Sequence, residues 1–378
     1  MLEKIINYLL SFQTVFFYIK YLIWLIFLIV FPLISLWNGM YFSAINLSLL
    51  GMVFSYFTLY KYSDISGKFS FYLLLIEYVI ILNLSLFSVI KPLDGGWKLL
   101  SNSDSYSDPI LYHTEDGLFI HGSVKGRIFV KRYNEQEGFD DLAYPGLFSW
   151  ELKDKNRQLW FGPKKGNHLY LYKLDEKKWY QMIRPGGYVR SLAFLGDTTY
   201  LVVRNRLYQM KGYGDWKEVY LDNYVSSACV DTKNQIISVS GKKFHLSVYD
   251  SSQWIDHTPS GKSSIHYECI SLSDSFYFYH GGLLFSEIWE VKFKKTIKKI
   301  KSPVRDIRII VPIDKKRLVV GTWGEGVYVF SPETEDWEYL GLKGVEVRSM
   351  AYDEKRKILY AASSNLFNRK GIYFLSLE

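Results

Sequence analysis

The sequence predicts a membrane-embedded α-helical region followed by an all-β domain, a closed ring of seven four-stranded sheets. Three observations carry that prediction. Charged residues are scarce up to residue 91 and frequent beyond it. Past that point a short apolar strand core recurs at a near-constant spacing. A tryptophan then stands at a similar place in most of the repeats.

Residues 1–91 hold only five Lys and three acids. Tyr21 to Trp37 and Tyr41 to Tyr60 are uncharged, and Phe69 to Ile90 is interrupted only by Glu77. Each stretch is about 17–22 residues, enough for a helix to cross a hydrocarbon core of about 30 Å. Three transmembrane helices are expected, because a cleaved signal would be one short segment. Ile5 to Tyr18 is too short to span comfortably and reads as an interfacial segment, an extension of the first span, or a fourth span. With three spans, Lys4, Lys20, Lys61 and Lys68 share one side. The positive-inside rule puts that side and the N-terminus in the cytoplasm, so the β domain faces outward from the plasma membrane; a fourth span would reverse this. Glu77 is the candidate polar site inside the membrane, as a functional group or as protonated glue between helices.

The segment Lys91-Pro92-Leu93-Asp94-Gly95-Gly96 ends any preceding helix, since Pro cannot continue it and Gly-Gly favours a turn. Two domains follow, 1–91 and 92–378. The apolar cores of the second begin at Leu118, Leu159, Leu201, Ile236, Phe276, Leu318 and Leu359, in steps of about 41, 42, 35, 40, 42 and 41 residues. That period belongs to one β-propeller blade. Residues 304–344 show the full plan: an inner strand, two further strands joined by hairpins, and an outer strand opening on Trp337. Trp179, Trp216 and Trp254 open the matching strands elsewhere, and inter-blade packing is their expected role. The last repeat reaches Glu378 after three strands, and Gly96-Trp97-Lys98-Leu99-Leu100 matches the missing fourth. Residues near 97–101 are therefore expected to complete the last blade and close the ring. Seven blades result; six follow if the weak fifth repeat, which lacks a final Trp, is merged, and eight is the other alternative.

The stretch Leu318 to Leu340, LVVGTWGEGVYVFSPETEDWEYL, resembles the repeat of two-component regulator propellers. Leu159 to Trp179 and Leu359 to Phe374 are similar to it less closely. The resemblance implies an extracytoplasmic, ligand-sensing propeller on a membrane protein. No kinase or DNA-binding output segment accompanies the repeats, so binding without signal output is expected.

The net charge of +8 is spread thinly apart from the run Lys292 to Lys301, read as a solvated outer strand and hairpin tip; no nucleic-acid partner is expected. Cys229 and Cys269 are too few for a disulfide scaffold. They fall at similar places in adjacent inner strands, which usually stand too far apart to be bridged, so two free thiols are expected.

Propellers bind at the mouth of the central channel. Val189-Arg190-Ser191, Val304-Arg305-Asp306 and Val347-Arg348-Ser349 repeat one signature, so Arg190, Arg305 and Arg348 are candidates to converge on an anion. Trp323, Trp150 and His266 complete the candidate ligand-binding set. No zinc-type His cluster, phosphate-binding Gly loop or nucleophile elbow occurs, so no catalytic residue, metal or cofactor is assigned. The function expected is a membrane-anchored, extracytoplasmic binding module for a protein partner or an acidic ligand. Its rivals are a channel-site enzyme, such as a polysaccharide lyase or glycoside hydrolase, and an accessory subunit of a membrane complex.

Overall fold

The structure, a computed structural model, describes residues 94–102, 106–124, 127–147, 149–219, 224–241, 243–248, 253–258, 267–282, 286–292, 297–363 and 371–377, with Ile76. The three expected spans, Glu77 and His266 lie outside the described residues. Among those described, no helix is long and apolar enough to cross a membrane. The chain divides into two compact units, residues 1–92 with 366–368 and residues 93–365 with 369–378.

The second unit contains seven antiparallel sheets of four strands each, the arrangement of a seven-bladed propeller. The inner strands, blade 1 to blade 7, are Tyr106–Thr114, Ser149–Lys155, Val189–Leu195, Val225–Asp231, Glu268–Leu272, Ile307–Pro312 and Val347–Asp353. Neither six nor eight blades fits. The fifth repeat is complete despite its missing tryptophan, with Ile297–Ile300 as its outer strand.

Both faces of every blade are buried, which explains the unbroken apolar cores. In blade 3, Leu201 and Val203 pack toward blade 2 while Tyr200 and Val202 pack toward blade 4. Successive strand residues point to opposite faces. A strand covered on both sides therefore needs apolar residues at every position. The described core falls into seven clusters, one for each pair of neighbouring blades, including blade 7 against blade 1.

Two of the outer-strand tryptophans within the repeats are straps as well as filling. Trp179 Nε1 donates to Leu142 O at 2.7 Å, and Trp216 Nε1 donates to Ile183 O at 3.0 Å. Each bond reaches the preceding blade. The ring closes by the same device. Lys98–Asn102 pairs antiparallel with Gly371–Ser376, with Lys98 opposite Phe374 and Asn102 opposite Gly371. Trp97, 4% exposed, donates its indole proton to Leu340 O of blade 6 at 2.8 Å. Asp94 accepts from the Tyr339 hydroxyl and, at 3.2 Å, from Lys343 N–H. Gly95 has φ +72, and a Cβ there would run into the Leu340 carbonyl, so only glycine fits the approach.

Closer to the axis, serines tie inner strands together. Ser191 Oγ donates to Ala228 O and accepts from Ala228 N–H, each at 3.1 Å. Ser349 Oγ accepts from Leu111 N–H at 2.9 Å. Between blades 1 and 2, the fully buried His121 plays the same part. Its Nδ1 bonds Phe129 O at 2.9 Å, and its Nε2 accepts from Ser149 N–H at 2.8 Å. That pattern requires neutral imidazole, and burial lowers its pKa to about 4.

Candidate functional site

The inner strands of blades 2, 3, 4, 6 and 7 each carry a β-bulge near their start. The register slips between Ser149 and Glu151, Val189 and Ser191, Val225 and Ser227, Ile307 and Ile309, and Val347 and Ser349. The bulged residues are Trp150, Arg190, Ser226, Arg308 and Arg348. Bulges redirect side chains and gather near functional sites. Arg190, Arg348 and Trp150 thus occupy equivalent places, the described part of Trp150 being its backbone. Arg305 does not. The equivalent residue of blade 6 is Arg308, three positions later, because the inner strand begins at Ile307 rather than Val304.

Arg305 instead turns to Glu325, with its N–H 2.8 Å and its Nε 3.1 Å from the carboxylate. Arg308 and Arg348 converge on one ring. Their guanidinium carbons lie 4.0 and 5.1 Å from the Trp323 ring centre. Each also has an acid: Arg308 pairs with Asp306 at 3.0 Å, and Arg348 pairs with Glu346. Asp306 and Glu346 are 3% and 5% exposed. Burial raises the Asp306 pKa while Arg308 opposes the rise, and burial lowers that of Arg308 while Asp306 opposes the fall. Asp306 adopts φ +49, a left-handed conformation that L residues rarely hold without surrounding support. Arg190 is placed elsewhere, its guanidinium 5.3 Å from the Tyr188 ring centre and 5.5 Å from that of Tyr224. The predicted arginine triad is therefore not one site. Three arginines at blades 6 and 7 are matched by three carboxylates, which leaves little charge for an added anion.

The central channel is a cavity of about 630 Å³. Its two lining carboxylates, Asp154 and Glu268, come from blades 2 and 5. Enclosure raises the pKa of both, against Arg190 and Lys153 at Glu268 and against backbone bonding and Arg157 at Asp154. The described residues include no cluster of His, Cys and acids able to hold a metal.

A different place gathers cations without a carboxylate in its described lining. A groove of about 540 Å³ between blades 2 and 3 is lined by Lys164, Lys165, Gly166, Asn167, Gly186, Gly187, Tyr188 and Arg204, with no acid among them. Beside it Arg184, 3% exposed, donates to Pro163 O at 3.1 Å, His168 O at 3.2 Å and Pro185 O at 2.7 Å. Those carbonyls flank the two loops that form the groove, so Arg184 staples one loop to the other. Gly187, at φ +135, lets the Arg204 side chain lie across it, where a Cβ would collide. Burial lowers the Arg184 pKa to about 10, which leaves it a cation at neutral pH. Its hydrogen bonds are satisfied by carbonyls, and no described carboxylate pairs with it. In the basic run of blade 5, three described lysines meet acids: Lys299 meets Glu287 at 2.6 Å, Lys298 meets Glu335, and Lys292 meets Asp274 at 3.9 Å. The groove escapes a sequence search because its cations come from two turns and a hairpin, 20 to 40 residues apart. The adjacent Lys164-Lys165-Gly166 is the one local signal.

No protein-family model matches the sequence. The comparison with curated proteins gives no match. Solved structures share the fold. The WD40 repeats of RRP9 align at 10% identity with a TM-score of 0.59, covering 76% of this chain and 99% of that one. YCF48 from Cyanidioschyzon merolae aligns at 12% identity and a TM-score of 0.54, covering 74% of this chain and 98% of that one. The extracellular domain of BT4673 from B. thetaiotaomicron, a protein described as a hybrid two component system, aligns at 15% identity and a TM-score of 0.58. That match covers 74% of this chain and 39% of the other. The propeller resemblance read from the repeats thus extends to three dimensions. At these identities the likeness establishes the fold, a seven-bladed β-propeller, and nothing finer.

Proposed function

We propose that this chain is a membrane-anchored, outward-facing interaction module whose propeller binds an acidic segment of a protein partner without chemistry of its own. One observation carries the binding site: the buried Arg184 cation, held only by carbonyls, beside a glycine-lined groove whose described lining has no carboxylate. A buried charge is costly without a counter-charge, so an incoming carboxylate offsets a cost the fold already bears. Gly166 and Gly186 leave open space for a partner backbone to approach closely.

The anchor rests on the uncharged stretches within residues 1–91, and the outward orientation rests on Lys4, Lys20, Lys61 and Lys68. The WD40 and sensor-domain propellers of the same fold support an interaction role by analogy. Titration of the full chain in detergent with a labelled oligoglutamate peptide tests the site. Saturable binding that weakens with salt is expected. Equal binding of a neutral peptide contradicts the proposal, and binding of free glutamate as tightly as the peptide reassigns the groove to a small acidic ligand.

A further inference from the structure

Cys229 and Cys269 are both free thiols, as the sequence suggests, and the packing of blades 4 and 5 sets them on neighbouring inner strands. Cys229 pairs across its sheet with Ser238, and Cys269 pairs with Phe278. Those partners are one repeat apart, so the two thiols occupy the same level of neighbouring inner strands. Cys269 Sγ lies 3.7 Å from Ser227 Oγ and 4.0 Å from Ser238 O. Ser227 is two residues from Cys229 on the same strand, and Ser238 is its cross-strand partner. Both cysteines pack against one apolar cluster, around Phe244, Phe276 and Phe278, and both line the central channel. The inner strands approach closely enough there for Ser271 Oγ of blade 5 to reach Val230 O of blade 4 at 2.5 Å.

We propose that Cys229 and Cys269 form a redox-active dithiol that closes into a disulfide between blades 4 and 5, inside the channel. The co-reactant is a small-molecule disulfide that enters the channel. Cys269 thiolate attacks one sulfur of the reagent and expels one thiolate, giving a mixed disulfide. Cys229 then loses its proton and attacks Cys269 Sγ, expelling the second thiolate. Two protein thiols are oxidised and one reagent disulfide is reduced to two thiols. Burial pushes the Cys229 thiol well up, and Cys269 beside it pushes it further; Cys229 is therefore suited to be the second, resolving thiol rather than the first attacker. The product staples one repeat to the next, closing a loop of about 40 residues that is otherwise held by packing and hydrogen bonds.

The test is mass spectrometry of the native full chain in detergent, incubated with oxidised glutathione, quenched by alkylation and digested without reduction. The expected product is a peptide pair joined through Cys229 and Cys269, with the unfolding midpoint raised by about 5–10 °C and restored by dithiothreitol. In Cys229→Ser the expected product is a stable glutathione adduct on Cys269. Glutathione on both cysteines of one wild-type chain, a disulfide between two chains, or two unmodified thiols after prolonged incubation overturns the proposal.

Discussion

The Trp97 indole donates to the Leu340 carbonyl at 2.8 Å, across 243 residues of sequence. This bond repeats those of Trp179 and Trp216, so the strand that precedes all seven repeats is held by the device that binds blade to blade within them. A ring closed this way covers the edge of Gly371–Ser376 with Lys98–Asn102, and uncovered edges are templates for aggregation.

Replacement of Trp97 separates the two parts of that strap. Trp97→Ala removes the buried ring and the bond, and a loss of about 3–5 kcal/mol is expected. Trp97→Phe keeps much of the packing and loses the donor; a loss of about 1–2 kcal/mol is expected. Chemical denaturation of both variants checks the order. Equal, small losses would show that the seam does not hold the ring.

Acid should loosen the interface between blades 1 and 2. The His121 pKa is lowered from its ordinary 6.5 to about 4 by burial. Between those values the unfolded chain binds a proton that the folded chain refuses. The stability contribution is therefore complete above about pH 6.5 and is lost as pH falls through the window. From pH 7.5 to pH 5 the loss from this residue is about 2 kcal/mol. Burial also lowers the His113 pKa, which adds loss in the same direction. Urea unfolding at the two pH values should show a shallower dependence for His121→Gln than for wild type. Identical dependences would remove His121 as its source.

Arg308 and Arg305 should behave differently despite their closeness in sequence. Arg308→Ala strands the buried Asp306 carboxylate, and a cost of about 1–3 kcal/mol is expected. Arg305→Ala breaks a more exposed pair with Glu325 and should cost about 1 kcal/mol or less. A larger cost for Arg305 would contradict the bulge register that sets Arg308 beside Trp323.

Much of this fold is legible in the sequence because a blade buried on both faces leaves an unbroken apolar core, and Trp97 completes a pattern that Trp179, Trp216 and Trp337 define. The candidate site is less legible. Val304-Arg305-Asp306 imitates Val189-Arg190-Ser191 in letters, yet the inner strand starts three residues later, and a bulge rather than the motif decides which arginine turns inward. The channel dithiol was hidden for a similar reason, since spacing between inner strands depends on ring closure. Arg184 offers no sequence cue at all. Its role arises where two turns, each unremarkable alone, share its three carbonyl bonds.

The central claim is that the groove between blades 2 and 3 recognises an acidic segment. Its most direct test is the affinity of a labelled oligoglutamate peptide for wild type, for Lys164→Gln/Lys165→Gln/Arg204→Gln, and for Arg305→Gln. The triple variant should unfold at the wild-type temperature, since its three replaced side chains are exposed. Arg305→Gln should unfold within a few degrees of it, having lost only the half-buried pair with Glu325. The account predicts about a tenfold loss of affinity in the triple variant and no change in Arg305→Gln. Unchanged affinity in the triple variant, or a loss confined to Arg305→Gln, would contradict it.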